Sequence, residues 1–253
     1  MKQADLVVVD VGNSACKVGL VQAEALLDVH HFTLEECAHQ PWRHRAVHEL
    51  SSMNVPWILS GSNPPIINSF ASWLTRKGQV LRIIDSDTSL PIKIDVEFPE
   101  RVGRDRLLNA LAIEQVPAII ISAGTAVTVD AVDKDGRFLG GAIFPGLYMM
   151  AKSLHDYTAK LPMIDTRSTR PTLPGKNTDH AMHAGIIYAV LGGIIGCVNE
   201  MLPKLSKAPS RNVTIYLTGG DGPYVQSALP WPVIAVPSLS LQGIIVASRT
   251  LSP

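Results

Sequence analysis

Leu6-Val7-Val8-Val9-Asp10-Val11-Gly12-Asn13 and Ile119-Ile120-Ile121-Ser122-Ala123-Gly124-Thr125 are two copies of one pattern, an apolar run that ends in a small polar turn. Each is followed by a second strand-like stretch, Lys17-Val18-Gly19-Leu20-Val21 after the first and Ala126-Val127-Thr128-Val129-Asp130-Ala131-Val132 after the second. The pattern predicts two β-hairpins from two similar halves of the chain. At each tip Gly12 or Gly124 carries no Cβ, so the backbone can come close to a ligand. A single copy reads equally well as a buried strand that ends in a tight turn. Two copies at equivalent places favour polar tips that hold the phosphates of one nucleotide.

Composition narrows the class. A chain of 253 residues can bury a large core, as one big domain or as two of about 120 residues each. Lys plus Arg and Asp plus Glu both number 22, which leaves no net charge to hold a polyanion and sets nucleic acid and anionic membranes aside as partners. Cys16, Cys37 and Cys197 lie far apart without paired spacing, as in a reducing compartment and not in a disulfide framework. Met1-Lys2-Gln3-Ala4-Asp5 lacks the layout of a signal peptide. The longest nearly apolar run, residues 185–198, is shorter than the ~20 residues that a spanning helix needs. The expectation is a soluble, cytoplasmic protein.

Strand-like runs fall at residues 6–9, 17–21, 57–59, 80–84, 119–121, 126–132, 138–144, 214–217 and 233–236. Helix-like stretches fall at 64–75, 105–114, 148–157, 178–201 and 239–249. This alternation indicates an α/β architecture. The seam is Gln115-Val116-Pro117, which divides the chain into domains 1–116 and 117–253 with a cleft between the hairpin tips. Residues 165–174 have charges, threonines and prolines without periodicity and read as a surface loop. In the long helix Ala181, Gly185, Ala189, Gly193 and Cys197 form a stripe of small side chains that lets another helix approach closely. That neighbour is either part of the same domain or the same helix of a second copy.

Chemistry-bearing residues concentrate in Pro99-Glu100-Arg101-Val102-Gly103-Arg104-Asp105-Arg106-Leu107-Leu108-Asn109-Ala110. An aspartate where a helix begins is often an N-cap, worth ~1 kcal/mol. Here two arginines adjoin Asp105 and a glycine precedes it by two residues, which also suits a base for a substrate hydroxyl. Arg106 can pair with a carboxylate or phosphate through two parallel hydrogen bonds.

With these residues the chain resembles the type III pantothenate kinases, members of the actin-like, acetate and sugar kinase ATPase superfamily. The resemblance rests on Asp10-Val11-Gly12-Asn13-Ser14 with Lys17, Ser60-Gly61-Ser62-Asn63-Pro64, Gly103-Arg104-Asp105-Arg106 with Asn109, and Gly124-Thr125-Ala126 with Thr128 and Asp130. It continues through Gly140-Gly141-Ala142-Ile143-Phe144-Pro145-Gly146, Leu154 with Thr158-Ala159-Lys160-Leu161-Pro162, Gly175-Lys176-Asn177-Thr178, Leu217-Thr218-Gly219-Gly220-Asp221 and Leu239-Ser240-Leu241-Gln242-Gly243. It implies two ribonuclease H-like domains with a nucleotide cleft between them. It also implies ATP-dependent phosphorylation of pantothenate to 4'-phosphopantothenate, the first step towards coenzyme A, by a homodimer. Asp10, Val11, Gly12, Asn13, Ser14, Ala15, Cys16 and Lys17 would form the first phosphate-binding turn, with Asp10 orienting Mg2+ directly or through water. Gly124 and Thr125 would contact ATP from the second turn. Gly103, Arg104, Asp105 and Arg106 would hold pantothenate, with Asp105 as the base. Thr178 would reach the substrate across a dimer interface, and residues 217–221 would lie beside the adenosine.

Two positions depart from the family pattern. Ser122 stands where the family has an aspartate that helps bind a monovalent cation, K+ or NH4+. Val96-Glu97-Phe98 stands where the family has a tyrosine and an asparagine near the substrate. These departures keep two alternatives open, a non-catalytic nucleotide-binding relative and a kinase for another small hydroxyl compound. A zinc site at Cys37, His39, His44 and His48 matches no strong ligand spacing, and the charged residues around it read as a solvated face. His155 reads as a partly buried histidine or a substrate contact.

Overall fold

The computed structural model describes residues 4–167, 171–206 and 213–250. It divides into two compact units, Met1–Ile113 with Ser238–Pro253, and Glu114–Pro237.

In the first unit β1 (Leu6–Val11), β2 (Ala15–Gln22), β3 (Ala25–Thr33), β4 (Trp57–Gly61) and β5 (Leu81–Ile83) form a five-stranded sheet in the order β3-β2-β1-β4-β5. β1 pairs antiparallel with β2, with Asp10 opposite Lys17, and parallel with β4, with Asp10 opposite Ser60. The unbroken valine run of β1 is explained by burial on both faces. Val7, Val9 and Val11 pack with Trp57, Phe70 and Leu74, the last two from α2 (Pro64–Arg76). Val8 on the other face packs with Leu108 of α3 (Arg104–Ala112) and with Leu241 and Ile244 of the helix at 239–248.

That last helix corrects the expected domain boundary. Its residues 238–253 join the first unit and not the second, and the seam lies between Ile113 and Glu114. The physical reason is the second apolar face of β1, which the helix covers together with α3. The two helices approach so closely that a Cβ on Gly243 would collide with the Leu108 carbonyl oxygen.

The second unit repeats the plan. β6 (Ala118–Ala123), β7 (Ala126–Val132), β8 (Phe138–Pro145), β9 (Thr214–Thr218) and β10 (Ile234–Ala235) form a sheet in the order β10-β9-β6-β7-β8. Read from its other edge, this is the connectivity of the first sheet. The match reaches single residues. Gly61 at the end of β4 has φ +140° and a Cβ there would strike the Val11 backbone, while Gly219 just after β9 has φ +94° and would strike that of Ala123. Gly219 is thus required by close backbone approach as well as by its left-handed conformation.

α4 (Leu147–Asp156) and α5 (Thr178–Leu205) cover one face of this sheet. α5 is longer than the apolar run of the sequence suggests, with 28 residues and a mean hydropathy of 1.9 in its most apolar window, enough in length and composition to cross a membrane. Its Ile186, Val190, Ile194 and Val198 are instead buried with Ile119, Ile121, Val127 and Val129 of the sheet. The small-residue stripe divides in two. Ala181, Gly185 and Ala189 are exposed, whereas Gly193 lies against the Phe144 ring of its own unit, where an added Cβ would sit 3.1 Å from the ring.

Further elements are short or irregular: α1 (Arg45–Leu50), α6 (Gly222–Gln226) and the final helix, α7 (Leu239–Ser248). The sequence pattern does not anticipate α1, α6 or β3. β3 is an edge strand in which Phe32 alone is buried, so its pattern of Asp28, His30 and His31 lacks the alternation of a half-buried strand.

Candidate functional site

The first turn closes through the Gly12 amide, which donates to the Ala15 carbonyl at 2.9 Å. Asn13 and Ser14 stand exposed at its tip, and Asn13 Nδ2 lies 3.5 Å from Ser62 Oγ. Asp10 is partly buried at the base of the turn, where Ser240 Oγ of α7 donates to its Oδ2 at 2.5 Å. Lys17 faces it across the strand pair. Val11 and Cys16 form the next pair and are fully buried. Burial, and then the Asp10 carboxylate, hold the Cys16 thiol well above its ordinary pKa, so it is a neutral packing group. Of the predicted stretch Asp10 to Lys17, polar side chains come from Asp10, Asn13, Ser14 and Lys17; Val11, Ala15 and Cys16 supply backbone and packing.

The second turn is tighter. The Gly124 amide donates to the Ala126 carbonyl at 3.2 Å, and the Thr125 carbonyl accepts from the Gly146 amide at 2.9 Å. A Cβ on Gly146 would collide with the Gly124 carbonyl oxygen. Ser122 takes the place in β6 that Asp10 takes in β1, and its strand neighbours are Thr128 and Thr218. Three hydroxyl-bearing residues therefore lie in one row across the sheet. Thr128 donates to Asp130 Oδ2 at 3.0 Å, and the buried Thr218 Oγ1 has no hydrogen-bond partner among the described residues.

At the start of α3 the N-cap is Gly103, with φ −56° and ψ 133°, and Asp105 lies within the first turn. The capping alternative for Asp105 is thus removed. A Cβ on Gly103 would sit 2.6 Å from Asp105 Oδ1, so the carboxylate folds back over the glycine at the positive end of the helix dipole. Arg104 turns elsewhere: its guanidinium donates to the Ser86 carbonyl. Burial lowers its pKa, opposed by nearby Asp85 and Asp87. Arg106 remains in the first turn beside Asp105, and Asn109 is buried with its Oδ1 lacking a partner among the described residues.

Among the described residues of 165–174, Asp165, Arg167 and residues 172–174 are exposed, as a surface loop requires, but two contacts anchor the segment. Thr166 is buried and its carbonyl lies 3.1 Å from His183 Nε2 of α5. Arg167 donates through Nε and Nη2 to Asp221 Oδ1 at 2.9 and 2.7 Å. The Asp221 side chain is 3% exposed; burial raises its pKa and Arg167 opposes the rise. Residues 168–170 of this segment lie outside the described residues. Thr178 is exposed at the first position of α5, behind the N-cap Asn177, whose side chain accepts from the His180 amide at 2.8 Å. His155 Nδ1 lies 3.0 Å from the Leu161 carbonyl, a local turn contact. The described residues include no group of three or more potential metal ligands, and His44 instead stacks on Phe32 with ring centroids 4.1 Å apart.

The profile of the type III pantothenate kinases matches residues 6–200. The chain belongs to that family. A type III pantothenate kinase of Listeria welshimeri is 29% identical over 98% of both chains. One from Thermobifida fusca is 31% identical over 94% of this chain and 96% of its own. Among solved structures, the ethanolamine utilization protein EutJ from Carboxydothermus hydrogenoformans has a TM-score of 0.56 at 13% identity, covering 95% of this chain and 89% of its own. MreB 5 of Spiroplasma citri has a TM-score of 0.51 at 10% identity, covering 98% and 96%. These two likenesses carry the fold alone, and that fold is the actin-like ATPase fold.

Two polar contacts near the site escape sequence reading. Ser240 lies 230 positions from Asp10, and Arg167 lies 54 from Asp221. Neither spacing has a local signature, although Ser240 and Asp221 both fall within quoted family motifs. The Gly103 geometry gives a test. Gly103→Ala should displace the Asp105 carboxylate and reduce pantothenate-dependent turnover by ~10- to 100-fold, the scale of an ångström-sized misplacement. Unchanged steady-state kcat would show that the carboxylate does not depend on that glycine.

Proposed function

We propose that this chain transfers the γ-phosphoryl group of ATP to the primary hydroxyl of pantothenate, with phosphate-binding roles for the hairpin turn of each unit and a substrate-binding role for the first turn of α3. The family assignment makes the chain a pantothenate kinase acting in coenzyme A biosynthesis. The observation that supports the assignment of roles is the hairpin repeated in both units, with a glycine in each turn, and, in the first unit, the Asp105 carboxylate folded over Gly103. Backbone amides at the Gly12 and Gly124 turns hold phosphate oxygens, with Asn13, Ser14 and Thr125 contributing side chains and Lys17 adding positive charge. Gly103 and Arg106 hold pantothenate; Arg104 supports the segment from outside, through Ser86. Asp105 accepts the hydroxyl proton, the freed oxygen bonds to the γ-phosphorus, and the bond to the bridging oxygen breaks, leaving ADP and 4'-phosphopantothenate.

Magnesium suits Asp10, a partly exposed oxygen donor whose Oδ2 accepts from Ser240. When bound there, the ion supplies charge neutralisation at the phosphates. The chain works in the cytoplasm, a reading supported by its free cysteines. It works as a homodimer, a reading supported by the exposed Gly185 face of α5 and by Thr178 at the start of that helix. Gly193 is excluded from the proposed seam because it packs within its own unit.

Three results are expected. Asp105→Asn should retain ATP binding but lose ~10²–10⁴-fold in kcat, the contribution of a positioned general base. Retention of more than about a third of wild-type kcat, far above that range, would remove the assigned role. Gly185→Leu should weaken dimerisation in sedimentation velocity and lower activity with it; a fully active wild-type monomer at assay concentration would overturn the dimer reading. The third concerns Ser122, which brings a hydroxyl but no charge to the place of the family's cation-binding aspartate. Activity should respond weakly to K+ at constant ionic strength, with Na+ as the replacement ion, and Ser122→Asp should strengthen the response. Saturation at low K+ in the wild type, unchanged in Ser122→Asp, would contradict this.

A further inference from the structure

Ser240 is almost fully buried in the first turn of α7. A serine at such a position commonly turns its hydroxyl to its own helix or cap. Here the proton goes to Asp10 Oδ2 at 2.5 Å, from the opposite end of the chain. A hydroxyl has one proton to donate, so this bond uses its donor capacity. Packing leaves α7 little freedom to move: Leu241 and Ile244 are buried against Val8 and Ile58, and the absent Cβ of Gly243 lets the helix rest on the Leu108 carbonyl. The other hydroxyl beside Asp10, that of Ser60, is committed to the Ile84 carbonyl at 2.8 Å.

From this arrangement we infer that Ser240 is a positioning residue for the magnesium-nucleotide complex: by holding Oδ2 of Asp10 it fixes the direction in which the carboxylate presents Oδ1. The inference rests on the reading of Asp10 as the magnesium-orienting acid. An aspartate at a strand end can rotate about its last side-chain bond, and a metal ligand left to rotate loses affinity. Partners that orient a metal ligand are typically worth ~10–100-fold in metal affinity. α7 therefore serves two ends, since the same helix that holds Asp10 also braces α3, whose first turn carries Asp105.

The test measures binding of the non-hydrolysable analogue AMPPNP across a range of free Mg2+, for the wild type, Ser240→Ala and Ser240→Cys. Cysteine keeps the shape of serine but donates weakly, so it separates the hydrogen bond from packing. Both variants are expected to need ~10-fold or more Mg2+ for half-maximal binding. Their affinity for AMPPNP in EDTA should match that of the wild type, because the glycine turn and Lys17 are untouched. A shift below about threefold in Ser240→Cys, well short of the orienting-partner range, overturns the inference whatever Ser240→Ala does. If Ser240→Ala fails to fold, judged by its thermal melt, the cysteine variant decides alone. Pantothenate-dependent ADP release by the wild type is recorded alongside: its absence would count against the assigned reaction, while a Mg2+ shift in the variants would still support the role of Ser240.

Discussion

Strand β1 must be covered on both faces, and much of the first unit is organised by that need. Val7, Val9 and Val11 require one apolar layer and Val8 requires another. A hairpin with a single helix behind it satisfies only the first. The second layer is built from α3 and from α7, which returns from the far end of the sequence to close the unit. The burial of one apolar strand thereby brings Asp105 and Ser240 into the unit that contains Asp10. The side chains at the ends of these elements inherit their positions from the core beneath them.

Duplication explains the rest of the plan and also where it stops being symmetric. In both sheets a parallel strand runs out beside the base of the hairpin tip, and in both a positive-φ glycine makes the close approach possible. The side chains on this shared frame differ. Asp10 faces Lys17, a charged pair suited to phosphate and metal, whereas Ser122 sits between Thr128 and Thr218, a neutral row. A fold can repeat its backbone geometry while dividing charge unequally between the copies. The first turn is the more highly charged, and the second offers backbone amides and hydroxyls.

The hairpins are legible in the sequence because each apolar run ends in a small turn at Gly12 or Gly124, is followed by a second strand-like stretch, and occurs twice. The longer helices α2, α3, α4, α5 and α7 are legible as helix-like stretches, that of α3 within two residues of its observed ends, whereas α1 and α6 are too short to carry a periodic signal. The edge strand β3 is hidden because Asp28, His30 and His31 remove the alternation that marks a half-buried strand. The attachment of α7 was hidden for a different reason: it is apolar nearly all round, and local sequence does not reveal which sheet such a helix covers. At the site, Asp10 and Asp105 stood out through their neighbours in sequence. Ser240, Arg167 and the turning away of Arg104 towards Ser86 depend on contacts between distant segments, which spacing alone does not encode.

The central claim is a specific phosphoryl transfer, and the direct measurement is to identify its product. Purified protein incubated with ATP, Mg2+ and pantothenate, with and without K+, should yield 4'-phosphopantothenate by mass spectrometry in amounts equal to the ADP formed. ADP without phosphorylated pantothenate, or no turnover under either cation condition, would contradict the account.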